Sequence, residues 1–87
     1  MKEFIREFDE NILTADGFDD ALLGVVERCG QPTIACYDKD KCIKILTKDM
    51  SYEDAVEYFY FNVLGSYVGE LTPCFLDTPI ETKSPQR

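Results

Sequence analysis

The side chains able to do chemistry in this chain are carboxylates, thiols and amines, because it contains no histidine. Acids stand in pairs at Asp19-Asp20, Asp38 with Asp40, and Glu53-Asp54. Paired carboxylates can share acid–base work or hold a hard divalent cation. Asp38-x-Asp40 resembles the start of a calcium loop, but Lys39 and Lys41 interrupt it. Neither the glycine nor the distal glutamate of such a loop follows. Helix caps and solvated helix faces account for these acids without a metal. No G-x-x-x-x-G-K-[ST] or G-x-G-x-x-G run offers a phosphate cradle. The sequence therefore predicts no catalytic residues, no metal and no cofactor, and a non-enzymatic role.

The four cysteines are Cys29, Cys36, Cys42 and Cys74. No two of them form a C-x-x-C pair, and zinc ligands normally arrive in such close pairs. Each has apolar neighbours, as in Ile34-Ala-Cys36-Tyr and Thr72-Pro-Cys74-Phe. Reduced thiols acting as small core hydrophobes are the expectation. Cys42, flanked by Lys41 and Lys44, comes nearest to an activated thiol, yet it falls on the apolar side of its expected helix.

Lys41, Lys44 and Lys48 share one helical side at i, i+3 and i+7 spacing. They are the candidates for holding an anion, such as a nucleotide phosphate, and equally a plain solvated face. Their charge is exceptional in this chain, whose net charge is −8 and whose pI is near 4.3. Between Arg6 and Arg28, and again between Lys48 and Lys83, every charged residue is an acid. Such a field opposes direct nucleic-acid or anionic-lipid binding and favours a basic protein partner. The longest mostly apolar stretch, Tyr58 to Val68, is too short for a membrane span, and charges crowd the N-terminus. A cytoplasmic location is expected.

These residues need elements to position them, and 87 residues supply one domain. That domain is expected over 1–77, with 78–87, rich in proline and poor in apolar residues, as a mobile tail. Asn11–Ala15 has strand character before an Asp16-Gly17 turn. Phe18, Ala21, Leu22, Val25 and Cys29 fall at helical spacing, predicting a helix from Asp16 to Gly30. Pro32–Tyr37 reads as a strand buried on both faces. Asp38 is placed to cap a helix with Cys42, Ile45 and Leu46 inward. Ser51, with Asp54 three residues on, starts another whose inner stripe is Tyr52, Ala55, Val56, Phe59 and Val63. Thr72–Leu76 reads as a final strand. The fold class is α+β (or a small α/β): three helices covering one face of a short three-stranded sheet, in the order β-α-β-α-α-β. The first two strands, if parallel, are joined by a right-handed crossover.

The third helix carries a second apolar stripe, Phe61, Leu64 and Val68, opposite the first. Two readings stand. Either the helix ends near Asn62 and the chain bends these residues into its own core, or they form a surface for a partner or a second copy. With Tyr58 and Tyr60 they are the interface candidates, an aromatic patch rimmed by acids.

A final feature is the order of short motifs. It runs Asp16-Gly-Phe-Asp-Asp-Ala21, Arg28-Cys-Gly-Gln-Pro32, Tyr37-Asp38, Glu53-x-Ala55, Phe61-Asn62-Val63-x-Gly65 and Gly69-Glu-x-Thr-Pro73. This order resembles that of small uncharacterised proteins encoded by tailed bacteriophages, over roughly residues 11 to 76. The group has no established activity. The resemblance implies a bacterial host cytoplasm and an accessory role, as inhibitor or adaptor of host machinery, through binding a host or phage protein. The alternative is a small-ligand or nucleotide binder that uses Lys41, Lys44 and Lys48.

Overall fold

The structure, a computed structural model, describes residues 2–9, 11–66 and 68–77. Within them lie helix α1 (Lys2–Phe8), strands β1 (Leu22–Val26) and β2 (Ile34–Asp38), helices α2 (Lys39–Leu46) and α3 (Tyr52–Tyr58), and strand β3 (Cys74–Leu76). A 3-10 turn, Asp19–Ala21, precedes β1, and a π-helix, Phe59–Leu64, continues α3. Three helices and a three-stranded mixed sheet make a small α+β fold, as the sequence predicts. The tail expected at 78–87 lies outside the described residues.

β2 is the centre of the sheet, antiparallel to β1 and parallel to β3. Its first four residues are all buried. Because successive strand side chains point to opposite faces, both faces of β2 are covered, as its unbroken apolar run requires. Ala35 and Tyr37 join Ile5, Ile12, Phe18, Ala21, Leu22, Cys42, Ile43, Ala55 and Phe59 in one core. Phe75 of β3 packs against that core, its ring 5.8 Å from Tyr37 and 5.1 Å from Phe59.

The second half of the chain follows its local signals. The Asp38 carboxylate accepts the Lys41 amide and caps α2, and the Ser51 hydroxyl accepts the Asp54 amide and caps α3. α2 presents Cys42 and Ile43 fully inward and Ile45 and Leu46 partly so. In α3 and the π-helix, Ala55 and Phe59 are buried and Val56 and Val63 pack on the core. Tyr52 departs from the expected stripe. At the first turn of α3 its ring lies outside the core, 66% exposed.

The first half corrects the element placement, because its first two elements are exchanged. No strand forms over Asn11–Ala15, and a helix, α1, precedes it. Among the described side chains of α1 one is buried, Ile5, amid the charges Glu3, Arg6 and Glu7, so the helix draws no stripe. The helix predicted from Asp16 to Gly30 is instead the 3-10 turn followed by β1. Leu-Leu-Gly-Val-Val pairs with β2 in a hairpin, so β1 and β2 are antiparallel and no crossover joins them. The register shifts between Leu22 and Gly24, where φ is 156°. A bulge at a glycine lets one extra residue fit against β2.

Candidate interaction face

The π-helix decides what the surface offers. Its hydrogen bonds close over one more residue than those of an α-helix, so its turns are wider. Phe59 points into the core and Val63 packs against it, while Tyr60, Phe61 and Leu64 are left outside. Phe61 is 75% exposed, Leu64 46% and Val68 59%. Of the two readings of the second stripe, packing within the chain's own core is not what these residues do. Tyr58 and Tyr60 are also more than two-fifths exposed.

Two clefts flank this helix. The larger, about 640 Å³, lies between the loop from Leu13 to Phe18, the end of α2, the π-helix and the approach to β3. Its apolar wall includes Leu13, Phe18, Ile45, Leu46, Val63 and Phe75, and its charged liners are Asp16 and Asp49. The smaller, about 530 Å³, is lined by Met50, Asp54, Glu57, Tyr58, Phe61 and Asn62. Tyr58 and Asn62 belong to both, so the clefts adjoin across one turn of helix. Among the described residues, Asp16, Asp49, Asp54 and Glu57 are the carboxylates that line these clefts, and no lysine or arginine lines either. The C-terminal end of α2, with its Leu46 side chain in the larger cleft, adds the negative pole of a helix dipole.

One contact fixes a wall of the larger cleft and another holds the π-helix. Tyr37, wholly buried at the centre of β2, accepts the Ala15 amide at 2.6 Å and so tethers the 13–18 loop. Burial raises the Tyr37 phenol above its ordinary pKa of 10.0, with Asp19 and Asp16 adding to the rise and the Ala15 bond opposing it. On the far side of the π-helix, the Lys39 ammonium donates to the Tyr60 hydroxyl and to Asp77 Oδ2, each at 2.8 Å, and lies 5.2 Å from the Tyr60 ring centre. These partners raise the Lys39 pKa, Asp77 first and Tyr60 second. Tyr60 is thus half-committed within the chain, which the sequence did not signal. The hydroxyl binds Lys39 and the ring edge meets Phe59.

The lysine stripe is elsewhere. Lys41, Lys44 and Lys48 are all exposed and line neither cleft. Lys48 lies past the end of α2, which stops at Leu46, so the three do not share one helix. The thiols also divide. Cys36 and Cys42 are buried and Cys74 is half-buried, but Cys29 is exposed in the turn between β1 and β2, against the core expectation. Burial pushes the Cys42 thiol up to about 12, with Asp38 adding to it. That is the opposite of an activated nucleophile. All four thiols are free.

Among the described residues no group of three or more Cys, Asp or Glu side chains is arranged to hold a metal ion, and no helix is long and apolar enough to cross a membrane. No protein-family model matches the chain, and neither a curated protein nor a solved structure is significantly similar to it.

Proposed function

We propose that this chain is a non-enzymatic accessory protein of the phage type that binds a host or phage protein through the face built on the π-helix. The observation that carries this reading is the pair of adjoining clefts, lined by apolar and acidic side chains, with no basic residue among their described liners. The chemistry that complements them is a basic segment with apolar anchors, such as Arg or Lys next to Leu or an aromatic residue. Electrostatic complementarity supplies orientation and fast encounter, and apolar burial supplies the hold.

Magnitudes favour this arrangement over the exposed stripe acting alone. Burying Phe61, Leu64 and Val68 contributes about 1.5–3 kcal/mol each. Association costs roughly 4–15 kcal/mol, so three side chains make only a weak contact without the clefts beside them. Self-association through the same stripe meets a further obstacle, because it places two copies of one acid-lined face, each with Asp54 and Glu57 beside Phe61, at a single interface. A heterologous basic partner removes that repulsion.

The test is affinity capture from bacterial lysate with the wild-type chain, a Phe61→Glu variant and a Leu64→Glu variant. Both variants should keep the wild-type circular dichroism spectrum, since these side chains are outside the core. A partner held through this face is lost by both, and its affinity for the wild type falls steeply with salt. Capture undiminished by either variant, or insensitive to ionic strength, refutes the reading. Sedimentation that shows a wild-type dimer, dissociated by Leu64→Glu, assigns the face to self-association instead.

A further inference from the structure

Cys36 and Cys74 are register partners on neighbouring parallel strands, β2 and β3. Partnered residues of adjacent strands present their side chains on the same face of the sheet. The next pair along, Tyr37 and Phe75, shows the alternation directly, for those rings meet at 5.8 Å on the core face. Cys36 and Cys74 therefore share the opposite face, near enough that the Cys74 thiol raises the Cys36 pKa. Adjacent strands run roughly 4.8 Å apart. That lies within the Cα separation of about 4.4–6.8 Å that a disulfide spans. Cys36 is buried and Cys74 is half-buried, so Cys74 is the more accessible of the pair.

We propose that Cys36 and Cys74 form a peroxide-sensitive dithiol site that closes to a disulfide between β2 and β3. The Cys74 thiolate attacks one oxygen of a hydroperoxide, the O–O bond breaks, and water or an alcohol leaves. Cys74 is then a sulfenic acid. The Cys36 thiolate, its proton released to solvent, attacks that sulfur, the S–O bond breaks, and the departing hydroxide takes up a proton from solvent to leave as water. In sum, two thiols and one hydrogen peroxide give one disulfide and two waters, and a dithiol reductant reverses the change.

The closing step is slow near neutrality. Burial, then the neighbouring Cys74 thiol, pushes the Cys36 thiol up to about 11. Its thiolate fraction, and with it the rate of closure, rises about tenfold per pH unit below that value. The bond fastens β3, which carries Phe75 on one wall of the larger cleft, to the central strand. It does not depend on what the clefts bind.

The test uses the full chain with Cys29→Ser, because Cys29 and Cys36 lie on one tryptic peptide and must be told apart. The folded protein is treated with hydrogen peroxide, denatured, alkylated, digested and weighed. The expected product is monomeric and two hydrogens lighter. A cross-link joins the Cys36 and Cys74 peptides, only Cys42 is alkylated, and closure is faster at pH 9 than at pH 7. A second variant, with Cys74→Ser added, keeps the fold at a half-exposed position and should leave Cys36 reduced under the same treatment. Cys74 carried on to sulfinic acid while Cys36 remains a free thiol overturns the proposal. So does cross-linking only between chains, or survival of both thiols.

Discussion

The hydroxyl of Tyr37 accepts the backbone amide of Ala15 at 2.6 Å, a bond between the buried centre of the sheet and a loop that walls the larger cleft. The residues are 22 apart in sequence. The phenol thus does for the loop what a strand partner would have done, by accepting an N–H that has left regular structure.

Tyr37→Phe removes the acceptor and keeps the ring packing against Phe75. The Ala15 amide then loses its partner in a partly buried site, which costs about 1–3 kcal/mol. Urea unfolding of both proteins measures the difference. Amide exchange should quicken first at Ala15 and its neighbours, and only weakly in α2. A loss under about 0.3 kcal/mol would show that water replaces the phenol at no expense.

Alkaline pH should unfold this protein through groups held neutral inside it. Cys36 and Cys42 rise from 9.0 to about 11 and about 12, and Tyr37 rises above 10.0, in each case chiefly because burial penalises the charged form. Below the unfolded value of 9.0 all three are protonated in both states, and their contribution is fully present. Above it the unfolded chain releases protons that the folded chain keeps, so stability declines with pH between about 9 and 12. Denaturant midpoints measured from pH 7 to 11 should stay flat and then drop. Cys42→Ala should make the drop shallower, and an unchanged slope in that variant would remove Cys42 from the account.

Gly65 ends the π-helix, and a Cβ built there lies 2.9 Å from the Phe61 carbonyl oxygen and 3.0 Å from that of Tyr60. Gly→Ala at a relaxed helical site stabilises by roughly 0.4–1 kcal/mol through the unfolded chain. Here both obstacles are backbone oxygens of the wide turn, which cannot swing aside as a side chain can. Gly65→Ala should therefore lower stability, by about 1–2 kcal/mol, a typical cost of overpacking. A raised melting temperature in Gly65→Ala would mean that the wide turn relaxes readily to an ordinary α-helical one.

From Pro32 onward the sequence alone determined the elements, because each had a local signal strong enough to act without help. The β-rich run around Ile34–Tyr37, the caps Asp38 and Ser51, and the periodic apolar residues of α2 and α3 all point to one conformation. Before that point local preference was divided. Phe18, Ala21, Leu22 and Val25 fit a helix by spacing, yet Leu22–Val26 is a strand. Its pairing with β2 supplies backbone hydrogen bonds that spacing cannot weigh, and Gly24 is poorly suited to a helix. α1 left no stripe because, among its described side chains, Ile5 alone is buried. The acidic character and the exposed Phe61, Leu64 and Val68 were legible as candidates from charge order and helical position. The clefts were not, since Asp16 and Leu13 meet Asp49, Asn62 and Phe75 only after the chain has crossed its own sheet. The wider turns of the π-helix fixed which apolar side chains met the core and which were left outside, with Phe59 seated against Phe75 of β3, and no residue read singly signals such a turn.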